Sequence, residues 1–104
     1  MPIPIMTLRP NAGLALGWSP GNPDLFPGPL SNRNVFVEGL PIAVVGDIYL
    51  SHSLGNVTHD ICIATTQFNN NVYVQGNLVH LQGDRMSCDP THIGAIGSQR
   101  TFIK

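Results

Sequence analysis

Charge is scarce in this chain of 104 residues: 11% of it is Asp, Glu, Lys or Arg, less than half the usual share. Five basic residues without a cluster, Lys104 being the sole lysine, leave little to neutralise a phosphate backbone. No nucleic acid partner is expected. Long apolar stretches are missing as well. Residues 40–45 form a run of six, whereas a helix crossing a bilayer needs about twenty. No transmembrane helix is expected. The opening MPIPIMTLRP has no basic leader before a long apolar stretch and carries three prolines, so it does not read as a signal peptide and general secretory export is not expected. Cysteine occurs only twice. The count allows a Cys62–Cys88 disulfide, but a chain without a secretory leader is expected to fold in a reducing compartment and keep both thiols. Glutamate occurs once, at Glu38, and no nucleophile elbow, phosphate loop or dinucleotide fingerprint is present. An enzyme is not expected.

Glycine and proline are abundant instead. Eleven Gly and nine Pro make up about a fifth of the chain, which argues against a helical bundle. The length suits one domain spanning 1–104. Shifting the chain by 37 residues lays NVFVEGLPIAVVGD (34–47) over NVYVQGNLVHLQGD (71–84), with six of fourteen positions identical. Such self-similarity marks one supersecondary unit used twice, at about 31–66 and 68–104. Each unit reads as a β-hairpin with a glycine turn, a second apolar strand, and then a Gly-Asp turn. In the return strands Ile42 and Val44 match Val79 and Leu81 on an apolar face. Ala43 and Val45 match His80 and Gln82 on a mixed one. The predicted class is all-β. Residues 61–66 read as a strand leading into the second unit, and 100–103 as its counterpart after that unit. Residues 1–30 are Gly/Pro-rich without a clear period; a short strand at 3–8 and a long loop packing Trp18, Leu25 and Phe26 onto the sheet are expected.

Each Gly-Asp is followed by a polar loop with potential metal ligands. The first holds His52 and His59, the second Cys88 and His92. Zinc takes four N or S donors in a tetrahedron, and two loops offering two donors each can close around it. Polar loops also collect His and Cys by chance, but chance does not repeat them after equivalent turns. A structural Zn2+ held by His52, His59, Cys88 and His92 would compensate for a thin core. His80, in mid-strand on the mixed face, reads as a surface or inter-chain contact, and Cys62, between two isoleucines, as a small buried residue. Asp47 and Asp84 have the ordinary role of Asp after such turns, capping backbone N–H groups.

These residues resemble the PAAR-repeat family, whose motif has the form V-x-V-x-G-x-P-A-A-R-x-G-D. Val35, Val37, Gly39, Pro41, Ala43, Gly46 and Asp47 follow it, with Ile42 in place of the first Ala and Val44 in place of Arg. The second copy keeps the frame through Val72, Val74, Gly76, Gly83 and Asp84 but not the Pro-Ala-Ala-Arg core. The resemblance covers roughly residues 31–104. It implies a small cone or pyramid of β-hairpins with a zinc near its point, bound by three His and one Cys. That cone would seat on the end of a trimeric β-helical spike, in a phage tail or, as a VgrG-type protein, in type VI secretion. The implied role is a spike tip that is assembled in the bacterial cytoplasm, carried at the end of a virion tail or secretion apparatus, and driven through an outer membrane. An adaptor recruiting an effector to the spike through Trp18 and Phe26 is the alternative, and a zinc-dependent hydrolase a third. One chain capping the three of a trimeric spike requires approximate three-fold symmetry, and the sequence does not assign the third unit.

Overall fold

A computed structural model describes residues 2–15, 23–28, 34–54, 56–67 and 71–103. Among them there are short β-strands and no helix, so none long and apolar enough to cross a membrane. In chain order the strands are β1 (Ile3–Pro4), β2 (Gly13–Ala15), β3 (Leu25–Phe26), β4 (Phe36–Val37), β5 (Leu40–Pro41), β6 (Ile48–Tyr49) and β7 (His52–Leu54). They continue with β8 (Val57–His59), β9 (Cys62–Ile63), β10 (Tyr73–Val74), β11 (Asn77–Leu78), β12 (Arg85–Met86), β13 (Asp89–Gly94) and β14 (Phe102–Ile103).

The repeated hairpins are β4–β5 and β10–β11, with Val37 opposite Leu40 and Val74 opposite Asn77. Their two-residue turns put both central residues at positive φ, Glu38 at 54° with Gly39 at 79° and Gln75 at 51° with Gly76 at 84°. That is the type I′ geometry matching the right-handed twist of the strands. Glu38 is held there by accepting hydrogen bonds from Ser98 Oγ and from Gln99 N.

Beyond each hairpin the chain enters a closed cycle of three segments, residues 5–7, 42–44 and 79–81. Thr7 bridges Ile42, Val44 bridges Val79, and Leu81 bridges Ile5, all antiparallel. At the centre Ala43 N donates to Met6 O, Met6 N to His80 O and His80 N to Ala43 O, each at 3.0 Å. One step on, Leu8 N donates to Pro41 O at 2.9 Å, Val45 N to Leu78 O at 2.7 Å and Gln82 N to Pro4 O at 2.9 Å. Ile42 N, Val79 N and Ile5 N donate to Val35 O, Val72 O and Thr101 O. All three sets obey one pseudo-three-fold relation.

The third unit is therefore built from the two ends of the chain. β14 pairs with β1, Ile103 facing Ile3 and Phe102 facing Pro4, in the role that β4 and β10 play toward β5 and β11. Residues 100–103 are thus not the counterpart of 61–66, as sequence reading had it, but of 34–37 and 71–74. The short strand expected at 3–8 is present as β1 and the first segment of the ring. Trp18 lies outside the described residues. Of its expected companions, Leu25 is buried and Phe26 is exposed.

Strand alternation sends side chains to opposite sides of this ring. Ile5, Ile42, Val44, Val79 and Leu81 join Val37 and Val74 from the hairpins in one apolar cluster, flanked by Ile3 and Ile103. Met6 and Ala43 face the other way, into a cluster with Leu25, Tyr49, Cys62, Ala64 and Met86. Ala43 and His80 of the mixed face are thus interior too, while Val45 and Gln82 are half-buried, because a second layer covers that side: the sheets β3–β6–β9 and β12–β13–β2.

Gly46 and Gly83, at φ 104° and 93°, turn the chain after the ring. The following carboxylates are buried and cap those turns. Val44 N and Gly28 N donate to Asp47 at 2.8 and 2.9 Å, and Leu81 N and Gln67 N donate to Asp84, each at 2.8 Å. Replacing Asp84 with Ala strands two main-chain donors, and Asp84→Ala is expected to lower unfolding free energy by about 3 kcal/mol in urea titrations. Asp84→Asn, which keeps one acceptor, is expected to lose less.

Candidate metal centre

The loop after the first Gly-Asp folds as the hairpin β7–β8, with His52 directly opposite His59. Cross-strand partners on one face are close neighbours, and these two rings stand 5.3 Å apart between centroids. From the second loop β13 runs beside β2 with His92 opposite Ala15, bringing its ring to 5.1 Å from His52 and 5.3 Å from His59. The three histidines expected to act together from the sequence therefore converge. His52 Nε2, His59 Nδ1 and His92 Nε2 are all shielded from solvent. The Leu50 carbonyl can only accept, so His52 Nδ1 donates to it at 3.0 Å. That bond fixes the tautomer with the lone pair on Nε2, the arrangement found behind metal-ligating histidines. Loss of hydration pulls the His92 imidazole below its ordinary pKa; Asp89 opposes this, and His52 and His59 add to it.

The fourth expected donor stands differently. Cys88, in the turn between β12 and β13, is joined to Cys62 of β9 in a disulfide, with the Cα atoms 5.3 Å apart. This overturns the expectation of two separate thiols. Cys62 is fully buried, yet it also borders the centre: one donor atom each from His52, His59, Cys62 and Cys88 all lie within 4.8 Å of one another. Ser87 explains the meeting. Its N–H donates to Ile63 O at 2.8 Å, and its Oγ accepts from Ile63 N at 2.9 Å, latching β9 to the turn that carries Cys88. Cys62 has no partner at the repeat shift, so the repeat gave no reason to place it here; the even count of cysteines was the only signal.

This group can hold a metal ion, subject to one chemical condition. Thiolate, not disulfide sulfur, is the ligand for zinc. His92, whose ring packs against both histidines, is not in this group of mutually close donor atoms. With Cys62 and Cys88 joined, the available donors are the imidazoles; with the bond reduced, thiolate sulfur would join them, a donor chemistry that suits zinc.

His80 corrects another expectation. It is not a surface or inter-chain group but fully buried. Its Nδ1 donates to Thr65 O at 3.1 Å, so Nε2 accepts from the Tyr49 hydroxyl at 2.8 Å. Burial pushes its pKa down to about 4, against the pull of the Asp84 carboxylate and the Thr65 carbonyl. Burial also raises the Tyr49 pKa, with Asp84 adding to the effect, which keeps the hydroxyl a donor. Gly94 leaves room for this pair, since a Cβ there would lie 2.9 Å from Tyr49 Oη and 3.1 Å from His80 Nε2.

Comparison with protein-family models, with curated proteins and with solved structures finds no match for this chain.

Two measurements check the site's environment. A His that titrates near 6.5 when unfolded and about 4 when folded binds more protons in the unfolded state between those values. Stability is therefore full above that window and is lost as pH falls through it, by on the order of 3 kcal/mol for His80. His80→Gln should flatten that part of the urea-midpoint profile, leaving the slope contributed by His92. Separately, the disulfide closes a span of 26 residues, and reducing it in the presence of a chelator is expected to cost about 3.5 kcal/mol.

Proposed function

We propose that the chain is a structural spike-tip protein that caps and sharpens a trimeric β-helical spike of a contractile injection machine, in a phage tail or type VI secretion, and helps it through a membrane. The observation that carries this reading is the placement of exposed aromatic side chains. Phe36, Tyr73 and Phe102 occupy the same step of the three hairpins and are 58%, 61% and 45% exposed. Val35 and Val72, exposed beside two of them, enlarge the apolar surface.

A trimeric β-helix ends in three equivalent strand edges around an apolar core, which must be covered. A single chain can meet three equivalent surfaces only if it repeats its own contact three times. The ring does so with main-chain geometry while the side chains differ, as Phe, Tyr and Phe do. The histidine and disulfide cluster is on the other side of the ring from the hairpins, sharing the layer of Tyr49, Cys62 and Met86. That placement suits a cross-linked apex remote from the docking base. In this reading zinc is held by His52, His59, His92 and the Cys88 thiolate. It supplies a cross-link rather than a reaction, and the chain performs no catalysis. Partners are the spike trimer, one tip per trimer, and transiently the target membrane.

An adaptor role has narrower support: Phe26 and Ile63, exposed on β3 and β9, flank Ile48 on one sheet and offer a second apolar surface.

Combined substitution of Phe36, Tyr73 and Phe102 by Ser should abolish co-purification with the terminal fragment of a trimeric spike while leaving circular dichroism and melting unchanged. Retained binding would overturn the assignment of the base. An effector lost on Phe26→Ser, with spike binding intact, would favour the adaptor reading.

A further inference from the structure

We propose that Cys62 makes the metal centre redox-controlled: as thiols, Cys62 and Cys88 let the centre hold zinc, and as a disulfide they expel it and cross-link the same loops covalently. The proposal rests on the zinc reading above and adds Cys62 to it. The two cysteines and two histidines place their donor atoms within 4.8 Å of one another, and a third imidazole is packed against both histidines. One sulfur cannot serve a disulfide and a zinc ion together. The disulfide and the metal are therefore competing occupants of one place.

Exposure orders the steps. Cys88 is partly accessible, whereas Cys62 is fully buried. The Cys88 thiolate attacks one sulfur of a low-molecular-weight disulfide, and the other sulfur leaves as a thiolate. The Cys62 thiol gives up its proton and attacks Cys88 Sγ, displacing the second small thiolate, which takes that proton. Two electrons pass from the protein sulfurs to the small disulfide, which ends as one thiol and one thiolate, and Zn2+ departs as its sulfur ligand is consumed.

Either occupant ties the first unit to the second. Zinc would link His52 and His59 with His92 and Cys88; the disulfide links β9 with the β12–β13 turn. A tip built in a reducing compartment and delivered to an oxidising one would exchange one link for the other and never lack both.

The test uses the full chain, reduced with dithiothreitol, loaded with zinc sulfate, freed of excess metal, and then treated with oxidised glutathione. The reduced protein is expected to carry about one zinc ion per chain, and the oxidised protein less than about a tenth of that. Release into a chromogenic chelator should run in step with the loss of two hydrogens by mass spectrometry. Cys62→Ala should load zinc and, in a mixture of oxidised and reduced glutathione that closes the disulfide of the unsubstituted chain, should keep most of it, because the mixed disulfide at Cys88 reverses when no resolving thiol traps it. Zinc retained by a chain whose disulfide has formed, or zinc lost from Cys62→Ala to the same extent in that mixture, would overturn the proposal and leave the zinc reading standing. Failure of the reduced chain to take up zinc would overturn both. Should Cys62→Ala not fold by circular dichroism, zinc content in the two redox states of the unsubstituted chain decides alone.

Discussion

Everything in this fold depends on the three main-chain hydrogen bonds that link Met6, Ala43 and His80 in a cycle. None of the three segments has a hairpin partner of its own at these positions. Each amide is satisfied by a neighbour whose own amide is satisfied by the third. Removing any one segment leaves unpaired groups on both others, and buried unpaired main-chain groups are costly. The ring also decides which side chains meet. Alternation along each segment sends the aliphatic positions toward the hairpins and the intervening ones toward the layer of Tyr49 and Cys62. The candidate metal centre and the exposed aromatic side chains of the hairpins are thereby assigned to opposite sides by backbone geometry before any side chain contributes.

A small domain with few charges must still bury polar groups, and this one does so with main-chain partners. Asp47 and Asp84 are buried carboxylates, yet each accepts from two backbone amides, one in its own turn and one from a distant stretch. His80 is kept neutral inside the core by burial, and a carbonyl and a hydroxyl satisfy both its nitrogens. Charge-assisted bonds to N–H groups are among the stronger polar interactions available, so these groups act as fasteners between stretches remote in sequence. The scarcity of surface charge and the abundance of turns are then compatible with an ordered interior.

Much of the architecture was legible in the sequence where it recurs. The shift of 37 residues exposed two hairpins, their glycine turns, the Gly-Asp caps and the parallel placement of two ligand loops, and the structure brings His52, His59 and His92 together. The third unit was not legible because its strands come from opposite ends of the chain, where no contiguous window can contain it. Its trace in the sequence was two residues long: the same shift lays Pro4 and Ile5 on Pro41 and Ile42. His80 was misplaced because a polar residue on an alternating strand looks solvated when its partners, Tyr49 and Thr65, belong to other elements. Cys62 is buried in a strand as expected, but its bond to Cys88 was not legible because the Ser87 latch that brings the two together lies across two sheets and leaves no periodic mark.

The split third hairpin has a kinetic consequence. Ile5 N bonds to Thr101 O, so the third hairpin cannot close until residues 101–103 have been synthesised, although the three ring segments are complete by residue 82. A nascent chain can form its two contiguous hairpins early, but this corner stays open until those residues arrive. Loop closure over such a separation slows the search. In the finished protein both ends lie in one antiparallel pair, Ile3 beside Ile103, so segments fused to either end would emerge side by side from a single corner.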